Sequence, residues 1–564
     1  MKLLGKAQDP SFWTEEVAKG DHFEKFRKEC INYWEKNDLE NFDFKALKYS
    51  DYKLFWETGD RKIFEHAYFT RRAAIEHTLP LALMYPEKKI YVDKIMDWAF
   101  AILDEYSWCL PAHQGTLGPN DNSRVDLFAS ETGLNMALLY VLLGDRLDEL
   151  IKNRILHEVD RRVVKTVLSV DNYGWWEVGH SNWTAVCTGA VACTIMLLYP
   201  ELMDEALIKR FNTSIDGYLA GFKDDGICLE GCGYWAYGMT FFVQYADMIR
   251  TFTGGKVDYF KLPKMKAIAT FPQKMFLTGN ASVSFADGGR TLAYTVGVMH
   301  RLKSEYPDDV LIYDPKYGAY GMGCGRACVW ISGAAWTVEE YWRNPAEATA
   351  FESYAADSQW YVNRTGKYGF AAKAGNNNEL HNHNDVGSFI FAKNGRQMIC
   401  DLGSGLYTRQ YFSSERYTIL ECASFGHGVP LIGGEAQSVG ADYKASDVEW
   451  REGEFSFDMA GAYKVEGLKS LRRSFVCAQD SVKLTDTYEY EGEGELVERF
   501  VSLEEPSLKE AGVLLIDEAE LRFDPDVCTI KVTHTSGTSG GNKDVYLIDF
   551  ALNQGVRSFS CEIA

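Results

Sequence analysis

The sequence lacks most of the features that mark exported, disulfide-bonded or membrane-spanning proteins. Its 13 cysteines contain no C-x-x-C pair, which excludes a zinc ribbon, and an odd, irregular set is typical of buried thiols in a reducing compartment. The start, Met1–Lys6, has no apolar stretch like that of a signal peptide, and no run of about 18 apolar residues follows it. We therefore expect a soluble, cytoplasmic protein.

Positive charge is also scarce. The formal net charge is −21 at pH 7, so the overall field repels the phosphates of nucleic acids and the surface of anionic membranes. We therefore expect no nucleic-acid partner and no membrane partner, and an acidic substrate would need a local basic pocket. With 564 residues the chain exceeds the size at which a single core keeps growing, which predicts two large domains.

Residues 1–340 are predicted to be mostly helical. Segments that begin near Asp126, Asn182 and Tyr234 carry apolar residues at helical spacing, and their starts lie roughly 50 residues apart, as expected for one helix pair per repeat. The first two turn to small apolar residues after a polar start, which permits the close packing of the inner helices of an (α/α) toroid. An (α/α) toroid is therefore predicted, with an irregular helical bundle as the alternative.

Residues 345–564 are predicted to form an antiparallel β-sandwich. Short apolar or alternating runs, such as Trp360–Arg364 and Gly387–Cys400, are separated by turn residues. Asn394-Gly395 is the strongest hairpin signal, because a type I′ turn needs a positive φ at both of its central positions. The whole chain is thus expected to be an α+β multidomain protein, with the helical domain first and the β-sandwich second.

Histidine is rare in this chain, yet three of the 11 histidines lie close together along the sequence. These are His381, His383 and His427, and the carboxylates Asp385 and Asp401 lie between the second and the third. Imidazole titrates near neutral pH and also binds Zn²⁺, so one segment could supply both a proton-transfer group and a metal site. This combination points to an enzyme.

Two glycine-rich segments carry no recognisable chemistry. Phe285–Arg290 is too short for a phosphate-binding loop, and Gly403–Gly405 lacks the G-x-S-x-G pattern of a serine hydrolase. Neither phosphate binding nor serine hydrolysis is therefore expected from them.

Several segments resemble the heparinase II/III-like polysaccharide lyases, and they occur in the same order as in that family. They are Trp108–His113, Asp126–Thr132, Ser181–Cys187, Glu230–Tyr234, His381–Phe389 and Tyr407–Tyr417, followed by His427. The resemblance implies an (α/α) toroid followed by a β-sandwich. It also implies that the protein cleaves uronate-containing glycans or oligosaccharides, of the glycosaminoglycan or alginate type, by β-elimination.

The resemblance also implies roles for individual residues. The acid/base tyrosine of the family falls on Tyr234, with Tyr237 one turn later as a competing choice. Its carboxylate-neutralising asparagine falls on Asn182, and its catalytic histidine falls on His381. Its metal ligands, which suit a structural Zn²⁺, fall on His383, Asp401 and His427.

β-Elimination at a uronate requires that its carboxylate be neutralised, because the C5 proton is barely acidic while the neighbouring group is charged. Asn182 is the first candidate, although many relatives carry Asn or His where this chain has Ser181. Basic groups that could bind the carboxylate or form structural ion pairs instead are His180, Arg409 and Arg416. Further substrate contacts are expected from His113, Trp183 and Tyr237.

The register of the predicted hairpin argues against the implied metal site. If the turn at Asn394–Gly395 sets an undistorted register, His383 lies five residues beyond the partner of Asp401 and on the opposite face. A metal site therefore predicts a bulge or bend near Gly387 or Gly403. The alternative is a hydrogen-bonded network of histidine and aspartate without a metal.

Three other functions share part of this pattern. A C5 epimerase would remove the same proton and return it on the other face without cleaving the chain. An (α/α)-toroid glycoside hydrolase would need two carboxylates beside the scissile bond, for which Asp126 with Glu131 or Asp224 with Glu230 are candidates. A glycan-binding protein without activity would tolerate the loss of Tyr234.

Overall fold

The computed structural model describes residues 2–115, 124–171 and 173–564. The chain divides into two compact units, each built from three stretches of sequence. Unit 1 comprises Met1–Phe222, Trp235–Ala269 and Tyr294–Ala346, and unit 2 comprises Lys223–Tyr234, Thr270–Ala293 and Glu347–Ala564. The single boundary placed near residue 345 from the sequence therefore leaves out two short segments, 223–234 and 270–293, that pack with unit 2.

The α-helices lie mainly in unit 1, as predicted. In chain order they are α1 Glu24–Lys36, α2 Tyr49–Tyr52, α3 Leu54–Thr58, α4 Lys62–Met84, α5 Lys89–Leu103, α6 Leu127–Leu143, α7 Glu149–Val159, α8 Lys165–Leu168, α9 Asn182–Leu198, α10 Glu205–Ala220, α11 Cys232–Phe252, α12 Met265–Ala269, α13 Phe271–Met275, α14 Val296–Glu305, α15 Ala327–Trp336 and α16 Glu339–Arg343. The three segments singled out in the sequence form α6, α9 and α11.

The small residues of these helices permit close helix contacts. A Cβ atom on Gly189 of α9 would lie 2.7 Å from the carbonyl oxygen of Phe241 in α11, and one on Gly133 of α6 would lie 3.1 Å from Val163. Asp126 caps α6 by accepting a hydrogen bond from the Ala129 amide at 2.7 Å. The polar start and small-residue body of α6 and α9 thus match the inner-helix pattern predicted from the sequence.

One helical stretch, Leu127–Arg146, is long and apolar enough to span a membrane by length and composition, with a mean hydropathy of 1.4. Its most apolar window is 78% buried inside the protein. The run is interrupted by Ser130, Glu131 and Thr132, which are all buried. Its composition is therefore explained by its place in the core of unit 1.

The β-strands lie mainly in unit 2. In chain order the strands are β1 Tyr294–Thr295, β2 Gly318–Ala319, β3 Phe351–Ala355, β4 Trp360–Arg364, β5 Gly369–Lys373, β6 Asn376–Asn377, β7 Phe389–Lys393, β8 Arg396–Ile399, β9 Leu431–Ile432, β10 Gly440–Lys444, β11 Ser446–Arg451, β12 Glu454–Asp458, β13 Leu468–Cys477, β14 Val482–Tyr490, β15 Leu496–Ser502, β16 Pro506–Glu510, β17 Val513–Ile516, β18 Ala519–Phe523, β19 Cys528–Thr535, β20 Val545–Leu552 and β21 Ser558–Ile563.

Three antiparallel sheets form the body of unit 2. Their strand orders are β3-β4-β5-β7-β8, β19-β20-β15-β9 and β11-β12-β13-β14-β21-β18-β17-β16. Their inward faces share one core that is rich in phenylalanine, including Phe370, Phe389, Phe475, Phe500 and Phe550. Burial of such large rings contributes most of the favourable free energy of a β-sandwich core.

The β7–β8 hairpin has the turn that its sequence predicts. Lys393 pairs with Arg396, and the two residues between them have positive φ angles, 48° at Asn394 and 81° at Gly395. These values are those of a type I′ turn. The hairpin prediction is therefore confirmed. The turn fixes the pairing of β7, which follows the histidine segment, with β8, which precedes Asp401.

Candidate active site

A buried carboxylate, Asp287, lies at the centre of a polar cluster in unit 2. Its oxygens accept hydrogen bonds from His381 Nδ1, His383 Nε2 (3.1 Å), Tyr407 Oη (2.8 Å), Tyr411 Oη and Arg416 Nη2 (3.2 Å). Burial alone would raise the pKa of this carboxyl, but the hydrogen bonds from His381 and His383 outweigh burial and hold the pKa well below its ordinary value. Asp287 is therefore ionised at neutral pH and orders the side chains around it.

Asp287 fixes the tautomer of both histidines, because an ionised carboxylate can only accept hydrogen bonds. His381 carries its proton on Nδ1, and its Nε2, which lies 3.8 Å from Glu230 Oε1, is the nitrogen that can accept another. His383 carries its proton on Nε2, which leaves a lone pair on Nδ1. That nitrogen is buried and has no hydrogen-bond partner among the described residues. The two histidines of the H-x-H segment thus differ in which nitrogen lacks a proton: it is Nε2 in His381 and Nδ1 in His383.

Tyr234 joins this cluster through Tyr407. The two hydroxyl oxygens lie 2.8 Å apart, and the ring of Tyr234 lies 4.5 Å from that of His381, measured between centroids. Because Tyr407 donates its proton to Asp287, its oxygen accepts from Tyr234. Burial raises the pKa of Tyr234, so this hydroxyl keeps its proton at neutral pH. A proton donor therefore lies beside a histidine that can accept one.

Buried cations hold the histidine segment in an uncommon backbone conformation. His381 has a φ of 53°, a left-handed value that costs a non-glycine residue about 1–3 kcal/mol. Arg416 donates from Nη2 to the His381 carbonyl at 3.0 Å and from Nε to the Asn382 carbonyl at 2.9 Å. Lys373 donates to the Asp385 carboxylate at 2.8 Å, which ties down the other end of the segment. His381 is therefore positioned by more than its bond to Asp287.

His383, Asp401 and His427 come together as one buried group in unit 2. One ligand atom from each lies within 4.8 Å of the others. His427 Nδ1 lies 3.0 Å from Asp401 Oδ2, and its Nε2 lies 2.9 Å from the Glu421 carbonyl, the kind of second contact that orients metal-binding histidines. The unpartnered His383 Nδ1 completes the set of donors. These residues fit a metal ion with nitrogen and oxygen ligands.

Strand distortion explains how His383 and Asp401 meet. The pairing of β7 with β8 shifts between Phe391, which faces Ile399, and Ala392, which faces Gln397. Met398 is therefore the extra residue of a bulge. In addition, residues 378–388 form turns and bends rather than a strand. The distortion that the metal site was expected to require is therefore present, with a turn at Gly387 and a bulge at Met398.

The two arginines predicted to bind substrate lie in different environments. Arg409 is exposed. Arg416 is buried, and its donors are used on Asp287 and on the carbonyl oxygens of His381, Asn382 and Tyr411. Arg416 thus makes the structural contacts that were the alternative for each arginine.

The remaining predicted residues belong to unit 1. Asn182 is buried and is the first residue of α9. His180 is exposed and its Nδ1 lies 2.7 Å from the Gly217 carbonyl. Tyr237 is buried, donates its hydroxyl to Glu131 and packs under Arg326, whose guanidinium lies 4.1 Å from the ring centroid. These contacts occupy the Tyr237 hydroxyl within the core of unit 1.

His113 and Trp183 line a cavity of about 360 Å³ in unit 1. His113 Nδ1 lies 2.6 Å from Asp126 Oδ2, and the ring of Trp183 lies 4.8 Å from those of both His113 and Trp175. Trp175 is 55% exposed. Large aromatic faces with polar groups between them are suited to a sugar ring, which has both an apolar face and hydroxyl groups.

Asp287, Tyr407 and Tyr411 were not predicted as site residues. Asp287 lies in the Phe285–Arg290 segment, from which the sequence predicts no chemistry. A Cβ atom on Gly288 of this segment would lie 2.9 Å from the Phe285 carbonyl oxygen, so the tight turn itself requires this glycine. A tight Asp-Gly-Gly turn was the available signal, but it did not indicate which distant residues would meet there.

Comparison with known proteins supports the fold. No family model and no curated protein matches the chain. A mutant of the heparan sulfate lyase HepC from Pedobacter heparinus matches with a TM-score of 0.59 and 12% identity, over 99% of this chain and 86% of that one. Heparinase III matches with a TM-score of 0.60 and 15% identity, over 87% of this chain and 76% of that one.

A third similar structure is the chondroitin AC lyase of Streptomyces coelicolor A3 in complex with chondroitin sulphate. It matches with a TM-score of 0.52 and 10% identity, over 96% of this chain and 82% of that one. These likenesses show that the chain has the fold of such lyases, an (α/α) toroid followed by an antiparallel β-sandwich. The predicted fold class is thereby confirmed.

Proposed function

We propose that the protein is a polysaccharide lyase that cleaves uronate-containing glycans by β-elimination. The observation that carries this proposal is the cluster in which Tyr234, a proton donor, lies beside His381, a proton acceptor, both connected to the same buried carboxylate. β-Elimination needs one group to remove the C5 proton and one to protonate the leaving oxygen. The fold shared with the heparan sulfate lyase HepC, heparinase III and chondroitin AC lyase supports a lyase activity.

We assign the base to His381 Nε2 and the acid to Tyr234. Asp287 holds the other nitrogen of His381 and would stabilise the imidazolium that forms when Nε2 takes the C5 proton. The pKa of Asp287 is too low for it to receive a proton through Tyr407, so a relay that would turn Tyr234 into a base lacks an acceptor. Tyr234 then donates its proton to the oxygen of the departing sugar.

The substrate carboxylate is proposed to be neutralised with the help of Asn182. Neutralisation stabilises the enolate-like intermediate formed when the C5 proton leaves, and it requires donors fixed in place before the reaction. His180 and Arg409 are exposed and are proposed as further contacts. His113, Trp183 and the cavity that they line are proposed to bind a sugar unit of the acidic glycan.

We further propose that His383 Nδ1, Asp401 and His427 Nδ1 bind Zn²⁺. The buried, unpartnered nitrogen of His383 supports this, since an orphaned polar atom in a protein interior is costly unless it has a ligand. The ion would link the segments that carry these three residues and would thereby stabilise unit 2. We assign it no step in the elimination.

The proposal is tested by incubating the purified protein with a panel of uronate glycans and following the ultraviolet absorbance of a new C4=C5 double bond. The wild type is expected to produce this signal. Tyr234→Phe and His381→Ala are expected to lower kcat by at least about 10²- to 10⁴-fold, the usual contribution of a general acid or base. Tyr237→Phe is the matched control and should keep most of the activity.

Full activity in Tyr234→Phe and His381→Ala would refute the assignment. Solvent deuterium appearing at C5 without chain cleavage would identify an epimerase instead. Binding of acidic glycans with no turnover by any variant would identify a glycan-binding protein.

A further inference from the structure

A single buried arginine, Arg473, connects the two loops that carry the metal-site histidines. It lies on β13, and its side chain has no exposed surface. Its Nη1 donates to the carbonyl oxygens of Gly387 at 2.8 Å and of Gly428 at 2.6 Å. Gly387 lies four residues after His383, and Gly428 directly follows His427. One guanidinium nitrogen therefore binds both histidine loops.

The guanidinium itself is held rigidly by acidic residues. Its Nε lies 3.0 Å from each oxygen of Asp486, and its Nη2 contacts Asp486 and lies 3.1 Å from Glu498. Burial raises the pKa of Glu498 well above its ordinary value, and the neighbouring Asp486 adds to the effect. The Glu498 oxygens accept hydrogen bonds from Arg473 and from the Tyr488 hydroxyl, so this acidic group is itself fixed in place. The planar fork of donors is needed here, because lysine has one nitrogen and cannot reach all of these acceptors.

The loop at Gly387 has little freedom to adjust without this contact. Its φ is 97°, and a Cβ atom there would lie 2.5 Å from the Met459 sulfur. The position therefore requires glycine. Because a glycine backbone is flexible by itself, contacts from neighbouring residues must hold it in this conformation. The contact from Arg473 supplies that constraint from the core side of unit 2.

We propose that Arg473 is a positioning residue that sets the separation of the two histidine loops, and through it the geometry of His383, Asp401 and His427 and the placement of His381. For catalysis this inference rests on the proposed function. The effect on the loops and on metal binding does not, so the two can fail separately.

The test uses the full chain with Arg473→Lys, and with Arg364→Lys as the matched control. Arg364 is also buried and also donates to two carbonyl oxygens, those of Thr349 and Phe276, but it contacts neither histidine loop. Hydrogen exchange of amides 385–388 and 427–429 and the affinity for Zn²⁺ are measured in both variants. Arg473→Lys is expected to speed exchange in both loops at least tenfold and to weaken Zn²⁺ binding by about 10- to 100-fold, as loss of an outer contact does at metal sites.

In the elimination assay, Arg473→Lys should lower kcat and leave KM nearly unchanged, because the substrate contacts remain. If this variant does not fold, Asp486→Asn loosens the same guanidinium and should give the same loop-specific pattern to a smaller degree. Unchanged exchange in both loops, or loss of Zn²⁺ affinity equal to that of Arg364→Lys, would overturn the proposal. If Arg473→Lys speeds amide exchange in both loops and weakens Zn²⁺ binding, but the wild type cleaves no uronate glycan, the role of Arg473 is supported and the proposed function is refuted.

Discussion

Each unit contains a histidine whose Nδ1 contacts an aspartate, and the two pairs differ in what else the aspartate binds. In unit 1, Asp126 accepts from His113 and from the backbone amides of Leu110 at 3.2 Å and Ala129 at 2.7 Å. In unit 2, Asp287 accepts from five side chains of the described part of the chain, that of His381 included. The Asp126 carboxylate completes a helix cap, whereas the Asp287 carboxylate accepts hydrogen bonds from side chains that lie far from it in the sequence.

This difference separates a structural aspartate from one that organises chemistry. A carboxylate that accepts backbone amides has a local role, which stabilises a helix start by about 0.5–2 kcal/mol. A fully buried carboxylate that accepts from several side chains fixes their orientation and proton positions together. The geometry of His113 alone therefore gives no reason to place catalysis in unit 1, while that of His381 does.

The largest expected effect comes from exchanging each aspartate for asparagine. Asp287→Asn removes the charge that fixes the tautomer of His381 and stabilises its protonated form, so kcat should fall by about 10³- to 10⁴-fold. Asp126→Asn keeps a good helix cap and should change kcat by less than about tenfold. The measurement is the elimination rate with a cleaved glycan. Equal losses in the two variants would erase the distinction between the pairs.

Zinc is expected to stabilise unit 2 by binding to His383 and His427 of that unit. At a free concentration 100 times its dissociation constant, Zn²⁺ should raise the free energy of unfolding by about 2.7 kcal/mol. Urea unfolding with a chelator and with added Zn²⁺ measures this difference. His427→Ala should abolish it, while His113→Ala in unit 1 should leave it intact. A wild type that shows no difference and contains no metal would rule out the site.

Unit 1 is expected to be the more acid-sensitive region. Burial lowers the pKa of His77 and of His300 to about 4, from an ordinary value of 6.5. The unfolded chain therefore binds more protons between these values, and stability is lost as pH falls from about 6.5 towards 4. At pH 5 each histidine should cost on the order of 2 kcal/mol.

Hydrogen exchange resolved by region, at pH 7 and pH 5, measures this effect. Helices α4 and α14 should lose protection at pH 5. In the wild type the rings of His77 and Tyr33 stack with their centroids 3.8 Å apart. His77→Phe keeps an aromatic ring at this position and should reduce the loss of stability at pH 5 by about half. Equal acid sensitivity of this variant and the wild type would show that His77 is not responsible.

Local features of the fold could be predicted from the sequence because their causes are local. The Asn394–Gly395 turn and the small-residue pattern of α9 each depend on a few adjacent residues. The single domain boundary could not show that segments 223–234 and 270–293 belong to unit 2, because their composition does not differ visibly from that of their neighbours. Long-range packing decides their place.

The candidate site was predictable only in part. The clustering of His381, His383, Asp401 and His427 was visible in the sequence, and the family resemblance assigned their individual roles. The register of the predicted hairpin argued against a meeting of His383 and Asp401 unless the strands bend. Asp287 was not predicted, although it accepts hydrogen bonds from five side chains of the candidate site. It lies 94 residues before His381 in sequence, and no pattern within Phe285–Arg290 reveals which side chains will donate to it.

The smallest expected effect separates the two arginines that were predicted to bind substrate, Arg409 and Arg416. Arg409 is exposed, so Arg409→Ala should change the free energy of unfolding by less than about 0.5 kcal/mol. A contact between an exposed arginine and an acidic glycan is screened by solvent and is worth roughly 0.2–1 kcal/mol. KM should therefore rise by no more than about fivefold at constant kcat, and less at high salt. Arg416→Ala, which removes a buried charge, should instead destabilise unit 2 by about 3 kcal/mol. A fall in kcat for Arg409→Ala would mean that this exposed side chain acts on the reaction itself, as the buried cluster is proposed to do.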